Sequence, residues 1–172
     1  MRALADVRGA RAGVRAVETI AAPRNARLRA LAAYWQSKRA GRMGPRRADI
    51  DPAEIREHMP TLFMVEVLPQ GEYRYRLVGS ELVERTGRNA TGKILSQLHA
   101  ERPEVLRLLK ARFDQVVAAK APVFSRGEVY WLDGDEMRQF ECGYFPLSED
   151  GRNVSIILAE LVLFWPDGQS GA

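Results

Sequence analysis

Residue types able to carry chemistry are scarce in this chain of 172 residues. It has two histidines, His58 and His99, and a single cysteine, Cys142. One cysteine cannot form an internal disulfide or a multi-cysteine metal site, and we interpret Cys142 as a small buried hydrophobic residue rather than a redox sensor. No serine lies in a Gly-x-Ser-x-Gly sequence, and the two histidines suggest no triad. We therefore predict no metal site and no catalytic residue.

Two other patterns look like functional motifs only in part. Gly87–Lys93 is similar to a phosphate-binding loop, but a helix is predicted before it, where such a loop requires a strand. Asp133, Asp135 and Glu136 surround a predicted turn, a place more typical of solvated side chains than of a catalytic carboxylate pair. We assign neither pattern a function.

Charge is divided unevenly along the chain. Residues 1–48 contain 12 Arg and Lys against two acidic residues, while residues 49–172 contain 14 against 20. The folded part is thus acidic, so we expect no nucleic-acid partner despite the overall charge of +4. No apolar run reaches the roughly eighteen residues of a membrane helix. With its single cysteine, the chain is expected to be cytoplasmic.

The first 22 residues are rich in Ala and Arg. Their apolar residues are spaced alternately by three and four, which suits a weak amphipathic helix: Val7, Ala10, Val14, Val17 and Ala21. Gly9 and Gly13 weaken that helix. We expect residues 1–22 to be a basic tail, with the weak helix as the alternative.

The remaining pattern predicts an α+β domain. A flanking helix over 24–40 lies within a segment, 23–44, that includes a linker, and a short capped helix follows at 52–58. Strands are predicted at 61–68, 72–79, 123–132, 136–146 and 153–165, and a helical insert with a long helix at 103–119 separates the second strand from the third. The domain proper spans 45–165, and 166–172 form a C-terminal tail. Strands joined by hairpin turns predict an antiparallel sheet.

Several separated segments carry a family resemblance. They are Leu31–Trp35, Pro45–Pro52, Tyr73–Gly79, Gly87–Lys93 and Pro146–Gly151. Over about residues 25–165 the chain resembles a PAS domain, and in particular the stand-alone proteobacterial PAS-like proteins, which are mostly of unknown function. The resemblance implies five antiparallel strands in the spatial order 2-1-5-4-3, with the insert on one face. It also implies a sensory or regulatory module rather than an enzyme.

The same resemblance bears on cofactors. Haem-binding PAS proteins carry their axial histidine inside the long helix of the insert, whereas His99 precedes that helix and His58 lies far from it. Flavin-binding PAS proteins need a reactive cysteine in the insert, and residues 80–100 contain none. We therefore expect no cofactor, with haem and flavin both disfavoured.

A groove between the sheet and the insert is the candidate ligand site. The side chains expected to face it are Tyr75, Leu77, Arg88, Thr91, Leu109, Phe113, Trp131, Phe140, Cys142 and Tyr144. Close packing is the default in a small domain, so these residues form either a filled core or the lining of a cavity. Arg88 and Thr91 are candidates for polar contacts at the mouth of a pocket.

Leu28, Leu31 and Trp35 form an apolar stripe on the flanking helix. Each such side chain gains about 1.5–3 kcal/mol on burial, so the stripe must pack against a surface. We expect it to pair with a second copy in a homodimer. The alternative is packing on its own sheet, near Val78 and the last strand.

The resemblance to PAS domains implies a non-enzymatic sensory or regulatory module, in agreement with the lack of a catalytic motif in the sequence. It would bind a small ligand or a signalling protein partner and relay its state through protein–protein contacts. The alternative is an enzyme that acts on a small molecule held in the groove.

Overall fold

The computed structural model describes residues 13–130 and 137–164. Its helices are α1 (Ala26–Arg39), α2 (Ser80–Thr86), α3 (Leu95–Leu98) and α4 (Pro103–Ala119). Its strands are β1 (Gly13–Ile20), β2 (Leu62–Leu68), β3 (Glu72–Val78), β4 (Val123–Tyr130), β5 (Met137–Leu147) and β6 (Ile156–Phe164). The predicted tail at 166–172 and the acidic cluster Asp133, Asp135 and Glu136 lie outside the described residues.

The six strands form one sheet in the order β1-β4-β5-β6-β2-β3, and all neighbouring pairs are antiparallel. Strands β2 to β6 alone stand in the order 2-1-5-4-3, and α2, α3 and α4 come between the second and third of them. The predicted α+β class, with its antiparallel sheet and helical insert, is therefore confirmed.

Strand β1 was not expected. Residues 13–20, predicted as part of a tail or weak helix, pair with β4, with Val14 opposite Val129 and Thr19 opposite Ser125. A bulge between Arg15 and Glu18 inserts one extra residue, with Ala16 at a φ of 51°. The bulge lets Val14 and Val17, three positions apart, both pack against the core. The spacing of three between these valines is also that of an amphipathic helix, and this is why the sequence suited a weak helix here.

The 52–58 segment also differs from the predicted helix. Its turns are closed by bonds between residues three apart, such as His58 N–H to Ile55 O at 2.9 Å. The Asp51 carboxylate does accept a bond from the Ala53 N–H, as a capping residue would. A 3-10 turn then runs over Met59–Thr61, because Pro60 has no N–H with which to extend an α-helix.

Helix α1 covers the face of the sheet opposite α2, α3 and α4. Leu28, Leu31 and Trp35 are at most 2% exposed within the single chain. The Trp35 indole N–H donates to the Pro146 carbonyl at 2.9 Å, and its ring lies 6.4 Å from that of Phe145. The predicted dimer interface through these three residues is therefore wrong. The alternative, packing on the chain's own sheet, is the one observed, because the stripe lies over the apolar central strands and not over β3 with its arginines.

A buried carboxylate ties α1 to the sheet. Glu160 of β6 is fully buried and accepts hydrogen bonds from Arg27 Nε at 2.6 Å and Thr61 Oγ1 at 3.0 Å, and it lies 2.8 Å from His58 Nδ1. Glu141 of β5 accepts bonds from the first backbone N–H groups before α1, those of Arg24 and Asn25. These contacts explain why two acidic residues are tolerated inside the sheet.

Candidate functional site

A cavity of about 230 Å³ lies between the sheet and helices α2 to α4. Six of the predicted groove residues line it: Tyr75, Arg88, Leu109, Phe140, Cys142 and Tyr144. The open choice between a filled core and a cavity is thus answered in favour of a cavity. Its walls are mainly aliphatic and aromatic, which is typical of small-molecule sites.

Strand geometry explains which side chains reach the cavity. Phe140, Cys142 and Tyr144 alternate along β5 and so share one face. In β3 a register shift occurs between Tyr75 and Leu77. The extra residue turns Leu77 to the opposite face, where it packs with the α1 cluster, and brings Val78 to the cavity.

Two other predicted residues, Phe113 and Thr91, do not line the cavity. Phe113 is completely buried in the neighbouring core, with its ring 5.0 Å from that of Tyr73. Thr91 is exposed, and its backbone N–H bonds to Asn89 in a turn. Trp131 lies outside the described residues.

Sequence reasoning missed a larger set of lining residues. They are Val14, Phe63, Val78, Leu82, Thr86, Ala90, Leu98, His99, Arg102, Val105, Leu108, Val129 and Leu161. Val105 lies on an apolar stripe of α4 with Leu109, Phe113 and Val116, and such a stripe facing a sheet is a sequence signal for the lining. Val14 could not be found, because its position depends on the unforeseen strand β1.

The buried end of the cavity contains three weakly polar groups. Tyr75, Cys142 and Tyr144 are each less than a tenth exposed. Burial raises the pKa of the Cys142 thiol to about 12, and burial also raises the pKa of both tyrosines above the usual range. All three groups are therefore neutral at physiological pH. The Cys142 thiol already donates to the Gly143 carbonyl, which leaves the tyrosine hydroxyls as donors for a ligand.

The solvent-facing end is different in character. Arg88 is exposed, Arg102 and His99 are half-buried, and all three line the cavity. Burial lowers the pKa of His99, and the positive charges of Arg102 and Arg88 lower it further. This imidazole is thus held neutral beside two cations. A second groove, with a volume of about 460 Å³, adjoins this end: it shares Arg88 and Arg102 with the cavity and also includes Lys93.

The structure also bears on His58, on metal sites and on membrane-spanning helices. His58 is buried on the α1 side of the sheet and engaged with Glu160, so it does not face the cavity. Within residues 13–130 and 137–164, no group of three His, Cys, Asp or Glu side chains could hold a metal ion. Over the same ranges no helix has the length and apolar character needed to cross a membrane.

Comparison with known proteins identifies the family of this chain. The profile of the PAS domain matches residues 24–161, which extend from just before α1 into β6. Comparisons with curated proteins and with solved structures each gave no significant match. The family match covers well over half of the chain and agrees with the order of strands β2 to β6. The chain therefore belongs to the PAS domain family, whose domains are associated with sensory and regulatory roles.

Proposed function

We propose that this chain is a non-enzymatic sensor, which binds a small molecule in the cavity and passes its state to a partner protein. The observation that carries the proposal is the cavity itself. It lies between the sheet and the insert of a PAS domain, and its apolar walls are combined with a few polar groups at two ends. Such a combination favours binding of a small organic molecule.

Binding is favoured over turnover by the state of the groups that face the cavity. A Cys142 thiol with a pKa of about 12 is a poor nucleophile at neutral pH, because nucleophilic attack requires the thiolate. The hydroxyls of Tyr75 and Tyr144 are likewise neutral. These groups suit hydrogen bonding to a ligand.

Relay to a partner is the second part of the proposal. Helix α1 and strand β1 both contact the sheet that forms the cavity floor, so they are positioned to move with it. A partner in the cytoplasm could read such a change, and a second copy of the chain is one candidate. Any self-association must use a surface other than Leu28, Leu31 and Trp35, which are buried.

The test is binding of a small neutral apolar probe, indole, to the purified chain by isothermal titration calorimetry. We expect saturable binding that Leu109→Trp abolishes, because Leu109 lines the cavity on α4. Leu106→Trp is the matched control, since Leu106 is also half-buried on α4 but does not line the cavity. Equal binding to both variants would contradict the proposal. Chemical conversion of a bound small molecule, followed by mass spectrometry, would favour an enzyme instead.

A further inference from the structure

The arginines at the solvent-facing end of the cavity differ from several others in the structure. Arg27, Arg74 and Arg85 each have a guanidinium nitrogen 2.6–2.8 Å from a carboxylate oxygen. Arg88 and Arg102 form no ion pair with any residue in the described ranges. Two cations without a carboxylate partner among the described residues thus lie at the entrance of an apolar cavity.

Arg88 and Arg102 both lie near His99. Both are among the charges that lower the pKa of His99, so all three side chains are close enough to interact. Arg88 follows α2, whereas His99 and Arg102 lie between α3 and α4. Two separate segments of the insert therefore converge to place positive charge there. An exposed acid, Glu101, lines the outer groove but not the cavity.

The N–H donors at the solvent-facing end of the cavity suit an anion that carries oxygen atoms. A guanidinium presents a planar set of N–H donors that match carboxylate and phosphate oxygens. A neutral His99 has one N–H to donate. Lys93, in the adjoining groove, adds a further positive charge within the same surface.

The remaining walls and the volume of the cavity determine the chemistry and the size of the rest of the ligand. Leu82, Leu98, Val105 and Leu108 contribute purely aliphatic walls. Taking about 30 Å³ for a water-sized group, the volume of about 230 Å³ accommodates roughly eight such groups. The body of the ligand is therefore apolar and of medium length.

We propose that the ligand is an amphipathic anion, whose apolar body of about eight carbon-sized groups fills the cavity and whose carboxylate or phosphate head contacts Arg88 and Arg102. This inference rests on the proposed function, since it assumes that the cavity binds a small molecule. It specifies the chemical class of that molecule and the residues that select it.

The experiment compares four probes with the same chain length by isothermal titration calorimetry: octanoate, octyl phosphate, octanol and octylamine. We expect at least one of the two anions to bind the native chain at least about tenfold more tightly than octanol, and octylamine to bind more weakly than octanol. Raising the salt concentration should weaken anion binding several-fold and leave octanol unchanged, because only a charge interaction is screened.

Two double variants identify the selecting residues. Arg88→Met/Arg102→Met should lose about tenfold or more of the affinity for the favoured anion while octanol affinity stays within about twofold. Arg56→Met/Arg107→Met is the matched control, because it removes two exposed arginines that do not line the cavity, and it should bind like the native chain.

The outcomes separate this inference from the proposed function. If octanol and indole bind but neither anion binds more tightly, the anionic head is refuted and the cavity site stands. Anion binding that is unaffected by Arg88→Met/Arg102→Met also refutes the assigned residues. If none of the probes binds, including indole, the cavity is not a ligand site and both proposals fall.

Discussion

The thiol of Cys142 provides a direct measure of the cavity, because it is the only cysteine in the chain and it lines the cavity wall. The perturbation is alkylation by iodoacetamide near neutral pH, with and without bound ligand. Burial raises the pKa of this thiol from its ordinary 9.0 to about 12. Since each pKa unit changes the thiolate population tenfold, the folded protein should hold about a thousandfold less thiolate than the unfolded chain.

Exposure acts in the same direction, because Cys142 is only 1% exposed. We therefore expect alkylation of the native chain to be slower than that of the urea-unfolded chain by about a thousandfold, until opening of the fold supplies a competing route. Intact-mass spectrometry measures both rates on one modification site. Any ligand that occupies the cavity should slow the native reaction further.

A matched control moves the cysteine to the surface. Cys142→Ala/Thr91→Cys places the thiol at an exposed turn position, where alkylation should differ only a few-fold between the folded and unfolded chains. A native Cys142 that reacts within about tenfold of the unfolded rate would refute the buried, protonated thiol. A cavity ligand that leaves this rate unchanged would refute its placement beside Cys142.

Three further predictions concern stability, each measured by urea unfolding. Glu160→Ala should lower the free energy of unfolding by about 3 kcal/mol, because it leaves a buried histidine and an arginine without their carboxylate, whereas Glu84→Ala, at an exposed helix position, should change it little. Trp35→Ala should lower it by about 3–5 kcal/mol through cavity formation on the α1 side, and a mere loss of self-association with unchanged stability would contradict the intramolecular packing. Backbone N–H groups of Asn153 and Arg152 hold the pKa of Asp150 well below its usual range, so this carboxylate stabilises the fold above the unfolded pKa of about 4 and loses that effect as pH falls through the lower folded value. Asp150→Asn should accordingly be less stable at neutral pH and show a smaller loss of stability on acidification than the native chain.

The sequence was sufficient for the order of α1, strands β2 to β6 and the helical insert, because that order rests on local signals. Alternation along β5, the stripe on α4 and the turns between strands all act within a few residues. The periodicity of the sequence also predicted helix α1, but it did not predict the surface against which α1 packs. Whether Leu31 and Trp35 meet a second copy or their own sheet depends on which strands lie at the sheet's centre, and this is a property of the tertiary fold.

The candidate site was predictable only in part, for two physical reasons. Bulges shift the side-chain alternation by one residue, and the bulge in β3 exchanged Leu77 for Val78 at the cavity. Residues between secondary-structure elements follow no periodicity, so the convergence of His99 and Arg102 with Arg88 could not be read from their spacing. The existence of the cavity depends on packing volumes, which a sequence does not measure.

Strand β1 has a practical consequence for anyone who isolates the domain. The family match begins at residue 24, so a fragment cut at that boundary omits all of β1. Such a fragment loses Val14 from the cavity wall and leaves the outer edge of β4 without its hydrogen-bonding partner. An unpaired strand edge is a template for pairing with other chains. Dimers or aggregates of the shorter fragment would then be a consequence of the truncation. Ligand affinities measured on it would describe a cavity that lacks Val14.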